Sequence, residues 1–276
     1  MNTIKNKIKT SAQFVLKLYN TLVWFLFQTM HYGFKNYIVK SKVNDLITIL
    51  GNGPSLSEDI CKLDFLDGDY CVVNYFFESS FFRKLKPKYY VLADPAFFQT
   101  EAIDRIVSQL QWEMQLFVPY RVWKKYYKRR SYKWLKIVPY NDYSYQGFKK
   151  VKIWLYKKGL SMPSPQNVLI PCLFNAINMG YKEIRLYGAD HSWTKTLCVT
   201  KDNVVCAVDC HFYKEARLAP YWKGRQGVYY KIHELLRDFA NMFEGYHQIK
   251  EYANICGTRI LNYTKDSFID AFEKVE

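Results

Sequence analysis

The chain has 276 residues, of which 49% are hydrophobic and 18% aromatic, so it can bury a large core and is not a disordered chain. Its formal charge of +15 is unevenly placed, because residues 1–42 hold seven lysines and no acid, and residues 121–160 hold thirteen lysines or arginines and one acid. The seven cysteines form no C-x-x-C pair, which excludes a disulfide framework and favours reduced thiols.

Residues 1–43 are predicted to form an amphipathic helix and a linker. No formal charge occurs from Leu18 to Phe34, and lysines lie on both sides of this stretch. Polar residues interrupt it, whereas a spanning helix needs about 20 predominantly apolar residues. We therefore expect a helix in the interface of an anionic leaflet, with Trp24 and Phe25 in lipid and the domain on the cytoplasmic face. A spanning helix and a soluble helix packed on the domain or a partner remain alternatives.

Residues 44–276 alternate short apolar strands with helical stretches. This pattern predicts one α/β domain with a Rossmann-like, doubly wound and mainly parallel sheet. The predicted strands are Leu46–Leu50, Tyr70–Val73, Tyr89–Ala93, Leu116–Pro119, Leu135–Pro139, Glu183–Tyr187 and Thr258–Asn262. The predicted helices cover about 101–113, 165–179, 224–244 and 246–255, with a terminal helix from Ser267.

The first strand runs into a glycine-bracketed loop, Gly51-Asn52-Gly53-Pro54-Ser55. In an open α/β sheet, ligands bind where strands end and the next helix presents free N–H groups. Gly51 and Gly53 permit a positive φ and close approach to a ligand. Asn52 offers an amide donor, and Ser55 with Glu58 predicts a capping box that opens a short helix.

Several predicted strands are followed directly by a polar residue. In a parallel sheet, these carboxyl ends meet at one edge and line one crevice. Each such residue alone is also a common turn residue, but their convergence favours a shared polar site. The residues concerned are Asn52, Asn74, Asp94, Asp190 and Asn262.

These motifs carry a resemblance to a known family. The glycine loop, Asn74 and the run Asp94–Phe98 resemble the start of the bacterial sialyltransferases of glycosyltransferase family 42. Residues 180–190, which read G-Y-K-E-I and then G-A-D, are similar to the helix-to-strand segment of that family. The ending 262–272 is similar to one found there and in the wider MptE-like (DUF115) superfamily.

The resemblance implies a nucleotide-binding domain of the GT-A-variant type. It implies transfer of a nonulosonate-like sugar from a CMP-activated donor, with no metal or other cofactor. The acceptor would be a lipid-linked or cell-surface glycan, as in lipopolysaccharide or other bacterial polysaccharide biosynthesis. The enzyme would then work at the cytoplasmic face of the inner membrane, and its oligomeric state stays open.

The resemblance also assigns site residues. Asn52 and Asn74 would hold the nucleotide. Asp94 replaces a third asparagine of the family and would accept from a ribose hydroxyl or the cytosine amino group. Gln166 and Asn167 replace a serine-bearing segment and become candidates for contacts with the donor sugar or phosphate. The predicted nucleotide site is completed by Gly51, Gly53, Ser55, Gly188 and Asp190.

Two histidines are candidates for the catalytic base, since imidazole accepts a proton near neutral pH. His211 occupies the loop that holds the catalytic histidine of the family, and it is the first candidate. His191 is the second, with orientation of the nucleotide as its alternative role. Tyr213 is a candidate donor to the phosphate. The alternative is that His211 is a structural residue that closes a hairpin.

Metal sites are not predicted. The run Asp67-Gly68-Asp69 has the D-x-D form of metal-dependent glycosyltransferases, but it precedes a strand and is typical of a turn. Cys198, Cys206 and Cys210 beside His211 suggest zinc by residue type, yet the first two fall on the strands of a predicted hairpin.

Residues 121–160 interleave bases with aromatic residues and are predicted to form a lid or membrane-contacting insert that faces the acceptor phosphate or the bilayer. A solvated surface and a nucleic-acid contact are the alternatives for this segment. For the whole chain, two rival functions remain. One is an MptE-like diphosphokinase using ATP and Mg²⁺, and the other is a non-catalytic nucleic-acid-binding module.

Overall fold

An eight-stranded, wholly parallel sheet forms the centre of the chain, in the order β11-β10-β6-β1-β2-β3-β4-β5. The computed structural model describes residues 2–40, 44–65, 67–94, 97–98, 100–212, 214–224 and 227–275. The strands are β1 Leu46–Leu50, β2 Asp69–Val73, β3 Tyr89–Val91, β4 Met114–Pro119, β5 Leu135–Tyr140, β6 Glu183–Tyr187, β7 Cys198–Val199, β8 Val205–His211, β9 Lys214–Pro220, β10 Arg259–Asn262 and β11 Glu273–Lys274. The helices are α1 Asn2–His31, α2 Leu56–Asp59, α3 Phe81–Leu85, α4 Ala102–Val107, α5 Tyr120–Val122, α6 Lys149–Lys157, α7 Leu169–Met179 and α8 Ile232–Cys256.

The order in which strands are added to the sheet reverses at β1, which pairs with β2 on one side and with β6 on the other. Strands β2 to β5 extend the sheet one way, and β6, β10 and β11 extend it the other way. Such a reversal is a topological switch point, where connections leave in opposite directions and open a crevice at the carboxyl edge. The predicted doubly wound α/β fold is therefore confirmed.

The two faces of the sheet are covered by separate apolar clusters. Ile47 and Ile49 of β1 point to the face covered by α7 and α8, while Leu50 packs on the opposite face with α2, α3 and α4. Because side chains alternate along a strand, a strand covered on both faces must be apolar almost throughout. This explains the continuous apolar run that identified β1 from the sequence.

Helix α8 is one helix of 25 residues, so the prediction of two helices over 224–244 and 246–255 was wrong. Gly245 lies inside it and is buried against Ile170 of α7, where an added Cβ would come within 3.2 Å of the Ile170 Cδ1 atom. Gly245, which falls between the two predicted helices, is thus a position where α7 and α8 pack closely.

The predicted terminal helix from Ser267 is also absent, since the described residues 267–272 form irregular structure that leads into β11. The Ser267 hydroxyl donates to the Ala189 carbonyl at 2.7 Å and accepts from the Ile269 N–H at 3.2 Å. Ile269 and Phe272 are buried in the core. These anchors hold the segment in place, and its last residues add an edge strand.

Helix α1 packs against the segment that follows β5. The Trp24 side chain is 2% exposed and contacts the rings of Tyr143 and Tyr145. The Tyr32 hydroxyl donates to the Asp142 carboxylate at 2.6 Å. The expectation that Trp24 lies in lipid was therefore wrong, because the protein itself covers this ring. In the part of the chain that the structure describes, no helix combines the length and the apolar character needed to cross a bilayer.

The basic segment 121–160 contributes to the main sheet. It contains a π-helical turn at Trp123–Tyr127, the outer strand β5 and the helix α6. The predicted insert is thus built around an edge strand of the domain.

We predict that Trp24→Ala releases α1 from the domain. Truncation of a buried tryptophan to alanine typically costs about 3–5 kcal/mol. We expect the free energy that holds α1 on the domain to fall by about this amount. Hydrogen exchange of the amides in 14–31 should accelerate, with little change in the sheet. Leu22→Ala is the matched control, since the Leu22 side chain is 63% exposed on the same helix. Equal protection in both variants would contradict the docked position of Trp24.

Candidate active site

A cavity of about 690 Å³ opens at the carboxyl edge of the sheet, at the switch point beside β1. This volume is within the range of pockets that hold nucleotide-sized ligands. Its walls come from the ends of β1, β2, β3 and β6, from the segment before α7 and from the β8–β9 hairpin. Of the residues predicted from the sequence, the cavity brings together Gly51, Asn52, Gly53, Asn74, Asp94, Gln166, Asn167, Gly188, Asp190, His191 and His211.

Three predicted residues stand apart from this set. Ser55 lies beside the cavity without lining it, and Asn262 is wholly buried elsewhere in the core. The Asn262 amide oxygen accepts the Thr264 N–H at 3.1 Å, which is a structural role. Tyr213 lies outside the described residues, so its role as a phosphate donor stays a prediction.

The glycine loop is shaped by the loop that follows β6. The Gly51 N–H donates to the Tyr187 carbonyl at 2.8 Å, and the Gly53 N–H donates to the Gly188 carbonyl at 2.9 Å. An added Cβ would come within 2.2 Å of the Gly188 oxygen at position 51 and within 1.8 Å of an Asp190 oxygen at position 53. Neither glycine has a positive φ, so that part of the expectation was wrong. Close approach of the second loop requires both glycines, and close approach of a ligand stays a prediction.

Asp190 holds the glycine loop closed. Its two carboxylate oxygens accept from the Ser55 N–H at 3.1 Å and from the Ser55 hydroxyl at 2.8 Å. Burial raises the pKa of the Asp190 carboxyl above its ordinary value, and the two hydrogen bonds from Ser55 oppose that shift. The Ser55 side chain makes no capping bond to α2, so the predicted capping box with Glu58 was wrong.

Two asparagines of the cavity wall each keep a buried acceptor oxygen. The Asn52 side-chain N–H donates to the Val73 carbonyl at 3.0 Å, and the Asn52 Oδ1 atom is buried with no hydrogen-bond partner among the described residues. The Asn74 Oδ1 atom is in the same state, on a residue whose φ is +50°. The Trp24 Nε1 and Asn141 Oδ1 atoms, which lie away from the cavity, are also buried with no partner among the described residues. The Asn52 amide N–H is used inside the protein, and the expected contacts of Asn52 and Asn74 with a nucleotide stay predictions.

The charges around the cavity are mostly negative. Asp94, Asp190 and Asp209 line it together with two histidines, and no lysine or arginine is among the described lining residues. Arg217 is paired with this wall, since its Nε atom lies 3.6 Å from an Asp209 oxygen. Such a wall disfavours a ligand that carries several negative charges.

A buried hydrogen-bond chain determines the state of His191. The Asn167 amide N–H donates to the Tyr246 hydroxyl at 2.9 Å, and that hydroxyl lies 2.5 Å from the His191 Nε2 atom. Since the hydroxyl oxygen accepts from Asn167, its proton goes to Nε2, and the ring proton is placed on Nδ1. Burial lowers the pKa of the His191 imidazole to about 3. His191 is therefore a neutral ring whose Nε2 atom, the one a base would use, is already occupied.

The predicted donor-sugar contacts at 166 and 167 differ in availability. The Asn167 Oδ1 atom accepts the Leu169 N–H at 2.8 Å and so caps the start of α7, which leaves this amide fully used. Gln166 is exposed, and its amide donates to the Ser164 hydroxyl at 3.0 Å. Gln166 is the one of the two whose side chain is able to turn toward a ligand.

His211 and Asp209 form a pair on the β8–β9 hairpin. The His211 Nε2 atom lies 3.1 Å from an Asp209 carboxylate oxygen, and its Nδ1 atom lies 3.3 Å from the Asn52 carbonyl oxygen. The pairing of β8 with β9 shifts register between these two residues, and Cys210 also reaches the cavity wall. A bulge of this kind re-aims side chains at the rim of a site. The hairpin thus carries a histidine–carboxylate pair to the glycine loop.

Sequence reasoning missed several lining residues. Asp209 had a usable signal, because Asp209 and His211 are two apart on a strand and share a face. Trp193, Thr196 and Tyr221 had none, since the cavity reaches them only when the hairpin folds back over the sheet. Conversely, no described residue of the segment 121–160 lines the cavity.

The D-x-D motif lies away from the cavity, and of the cysteine-rich set Cys210 and His211 reach it. Asp69 begins β2 at the opposite edge of the sheet, where it pairs with the Lys88 ammonium at 2.9 Å and accepts from the Tyr181 hydroxyl. Cys198 and Cys206 are cross-strand neighbours on β7 and β8. Among the residues that the structure describes, no three His, Cys, Asp or Glu side chains are grouped to hold a metal ion.

The comparisons with known proteins give similarities to two solved structures. No family model matches the chain, and no curated protein matches it in sequence. One structure is the MAf glycosyltransferase from Magnetospirillum magneticum AMB-1, with 11% identity and a TM-score of 0.47 over 87% of this chain; the chain spans 35% of that protein's length. The other is the sialyltransferase CstII from Campylobacter jejuni "in complex with a substrate analogue, cytidine-5'-monophosphate", with 14% identity and a TM-score of 0.47 over 85% of this chain and 86% of its own. Similarity at this level assigns neither a family nor an activity to the chain.

The burial of His191 predicts a pH dependence of stability. Its pKa is about 3 in the folded chain and 6.5 when unfolded, so only the unfolded state binds a proton between these values. The contribution is fully present above pH 6.5 and is lost as the pH falls toward 3, at about 1.4 kcal/mol per pH unit. At pH 5 the free energy of unfolding should be about 2 kcal/mol lower than at pH 7 from this group.

Urea unfolding of the wild type and His191→Gln at the two pH values measures this contribution. The variant should be less stable at neutral pH but should lose less stability on acidification. His247→Gln is the control, because His247 is a surface residue of α8 paired with Asp270. Equal acid sensitivity of the wild type and His191→Gln would disprove the assignment.

Proposed function

We propose that the chain is a glycosyltransferase that transfers a nonulosonate-like sugar from a CMP-activated donor to a glycan or lipid-linked acceptor. The observation that carries the proposal is one cavity lined both by Asn52 and Asn74 and by the His211–Asp209 pair. The first pair fits the nucleoside end of a donor, and the second fits the hydroxyl that attacks it.

The nucleoside end of the cavity offers acceptors. They are the carboxylate of Asp94 and, once the two side chains turn from their buried positions, the Oδ1 atoms of Asn52 and Asn74. Cytidine carries matching donors, namely the exocyclic amino group of the base and the ribose hydroxyls. A donor nucleoside would therefore offer hydrogen bonds to these three side chains.

The charge balance supports a CMP-type donor over ATP. A CMP-activated nonulosonate carries two negative charges, one on the phosphodiester and one on the sugar carboxylate, whereas the triphosphate of ATP would bring more to a wall with three carboxylates and no described lysine or arginine. The donors proposed for the phosphodiester are the Nδ1–H of neutral His191 and the amide of the exposed Gln166. This favours the transferase over an MptE-like diphosphokinase that uses ATP and Mg²⁺.

The His211–Asp209 pair supplies the base. Asp209 accepts the Nε2–H and holds the ring, and in the reacting complex the acceptor hydroxyl takes the place of the Asn52 carbonyl beside Nδ1, which receives the hydroxyl proton. The hydroxyl oxygen forms a bond to the anomeric carbon of the donor sugar, and the bond from that carbon to the phosphate oxygen breaks. CMP leaves with the bonding electrons. The Asn52 carbonyl, 3.3 Å from Nδ1, then accepts a hydrogen bond from the protonated ring.

Ligand binding is tested by thermal shift with CMP, UMP and ATP plus Mg²⁺. CMP without metal at about 100 times its Kd should stabilise the chain by about 2.7 kcal/mol, or roughly 5–10 °C. Asn74→Gly removes the acceptor and tolerates the local φ of +50°, so it should reduce the shift. Asn203→Gly is the matched control at a φ of +58° in the β7–β8 turn. A larger shift with ATP and Mg²⁺ than with CMP would favour the diphosphokinase.

The catalytic assignment is tested with CMP-sialic acid as the probe, with release of CMP as the measured product. His211→Ala should lower kcat about 10²–10⁴-fold and keep the CMP-induced thermal shift, because the base acts on the acceptor hydroxyl. Asp209→Asn should lower kcat less, since it only holds the ring. His233→Ala, an exposed histidine of α8, is the control. Unchanged turnover in His211→Ala would exclude this base.

A further inference from the structure

The outward face of α1 is a continuous apolar stripe. Five side chains of the stripe are between 62% and 66% exposed, and they recur every three or four residues along one face: Val15, Tyr19, Leu22, Leu26 and Met30. The buried Trp24 and Gln28 lie on the opposite face, against the domain. The stripe covers about 22 Å at 1.5 Å per residue. Soluble monomers rarely expose an apolar surface of this extent.

This helix is docked at the same edge of the sheet as the cavity. Tyr32 bonds to Asp142, which follows β5, and its ring lies 5.6 Å from that of Tyr120, which follows β4. The sheet is parallel, so the ends of β4 and β5 are on the carboxyl edge where β1, β2 and β3 line the cavity. At about 4.8 Å between neighbouring strands, the ends of β3 and β5 are roughly 10 Å apart. The carboxyl-terminal end of α1 and the cavity therefore lie at the same edge of the sheet.

A basic surface adjoins the carboxyl-terminal end of α1. We call residues 121–130 the basic turn; it contains no acid. The Arg121 guanidinium lies 5.6 Å from the centre of the Tyr32 ring, which places the basic turn directly beside α1. Its exposed cations are Arg121, Lys124, Lys125, Lys128, Arg129 and Arg130.

We propose that the apolar stripe and the basic turn form one docking surface for an anionic lipid bilayer, which delivers a lipid-linked acceptor to the cavity. The stripe enters the boundary between headgroups and acyl chains, and the cations of the basic turn pair with anionic headgroups. The membrane-borne acceptor rests on the proposed transferase, whereas lipid docking does not depend on it.

Charge distinguishes the bilayer from other occupants. Residues 1–42 hold seven lysines and no acid, so a second copy on this face would bring like charges together with no acid in either α1 to balance them. A nucleic acid would satisfy the basic turn but would leave the apolar stripe in water. An anionic bilayer satisfies both surfaces at once.

Co-sedimentation of the full-length chain with vesicles tests the stripe. The wild type should bind phosphatidylcholine vesicles that contain phosphatidylglycerol, and it should bind pure phosphatidylcholine at least tenfold more weakly. Leu22→Glu with Leu26→Glu should weaken binding at least tenfold. Leu236→Glu with Ile255→Glu is the matched control on exposed positions of α8, and it should bind like the wild type.

A second set of variants tests the basic turn. Substitution of Lys124, Lys125 and Lys128 by serine should weaken binding roughly fivefold for each lysine removed, because each contributes about 1 kcal/mol at an anionic surface. Substitution of Lys62, Lys201 and Lys265 by serine removes the same charge from exposed positions on other elements and should change binding little.

Three results would overturn the proposal. One is vesicle binding that the Leu22→Glu and Leu26→Glu pair leaves unchanged. Another is a wild type that forms a homodimer in light scattering and does not bind vesicles, with the glutamate pair dissociating that homodimer. The third is a wild type that binds duplex DNA and does not bind vesicles, with the DNA binding abolished by the lysine variants alone. The CMP-induced thermal shift should persist in the glutamate pair, so failure of lipid docking and failure of the proposed transferase are separate outcomes.

Discussion

The candidate site depends on the backbone contact between the loop after β1 and the loop after β6. The Gly53 N–H donates to the Gly188 carbonyl, and the Asp190 carboxylate closes the contact through Ser55. Any side chain at positions 51 or 53 would collide with this second loop. The contact occurs at the switch point of the sheet, where β1 and β6 are neighbours. It places the Asn52 carbonyl where His211 of the distant hairpin meets it.

The buried polar groups around this contact fall into two classes. Asn167, Tyr246 and His191 satisfy one another, and their chain keeps a neutral histidine at the cavity wall. Asn52 and Asn74 each retain an acceptor without a partner in the described chain. A protein rarely keeps such atoms buried, because the cost of desolvation is not offset. The first class gives rigidity to the site, and the second leaves an acceptor unused at two positions of the cavity wall.

The lining of the cavity and the exterior beside it differ in charge, as the uneven placement of charge along the chain predicts. The cavity is lined by carboxylates, amides and histidines, whereas the excess of cations lies on α1 and the segment 121–160. The cations of the basic turn stay out of the cavity and face solvent beside α1. The negative cavity wall and the positive exterior are thus separate surfaces of the same molecule. Both follow from the placement of charge and not from the net value.

The sequence by itself determined the parallel α/β sheet, the glycine loop and most of the polar residues that line the cavity. The pattern of a strand can be read from neighbouring residues, and ligands bind at the carboxyl ends of parallel strands. Together these two facts predict where in the fold the candidate site lies. Only the tertiary structure decided that Trp24 faces protein, that α8 continues through Gly245 and that Asp209 supports His211. Each of these depends on a surface brought from far along the chain, against which a residue packs or bonds. Contacts of this kind leave little trace in the local pattern of residues.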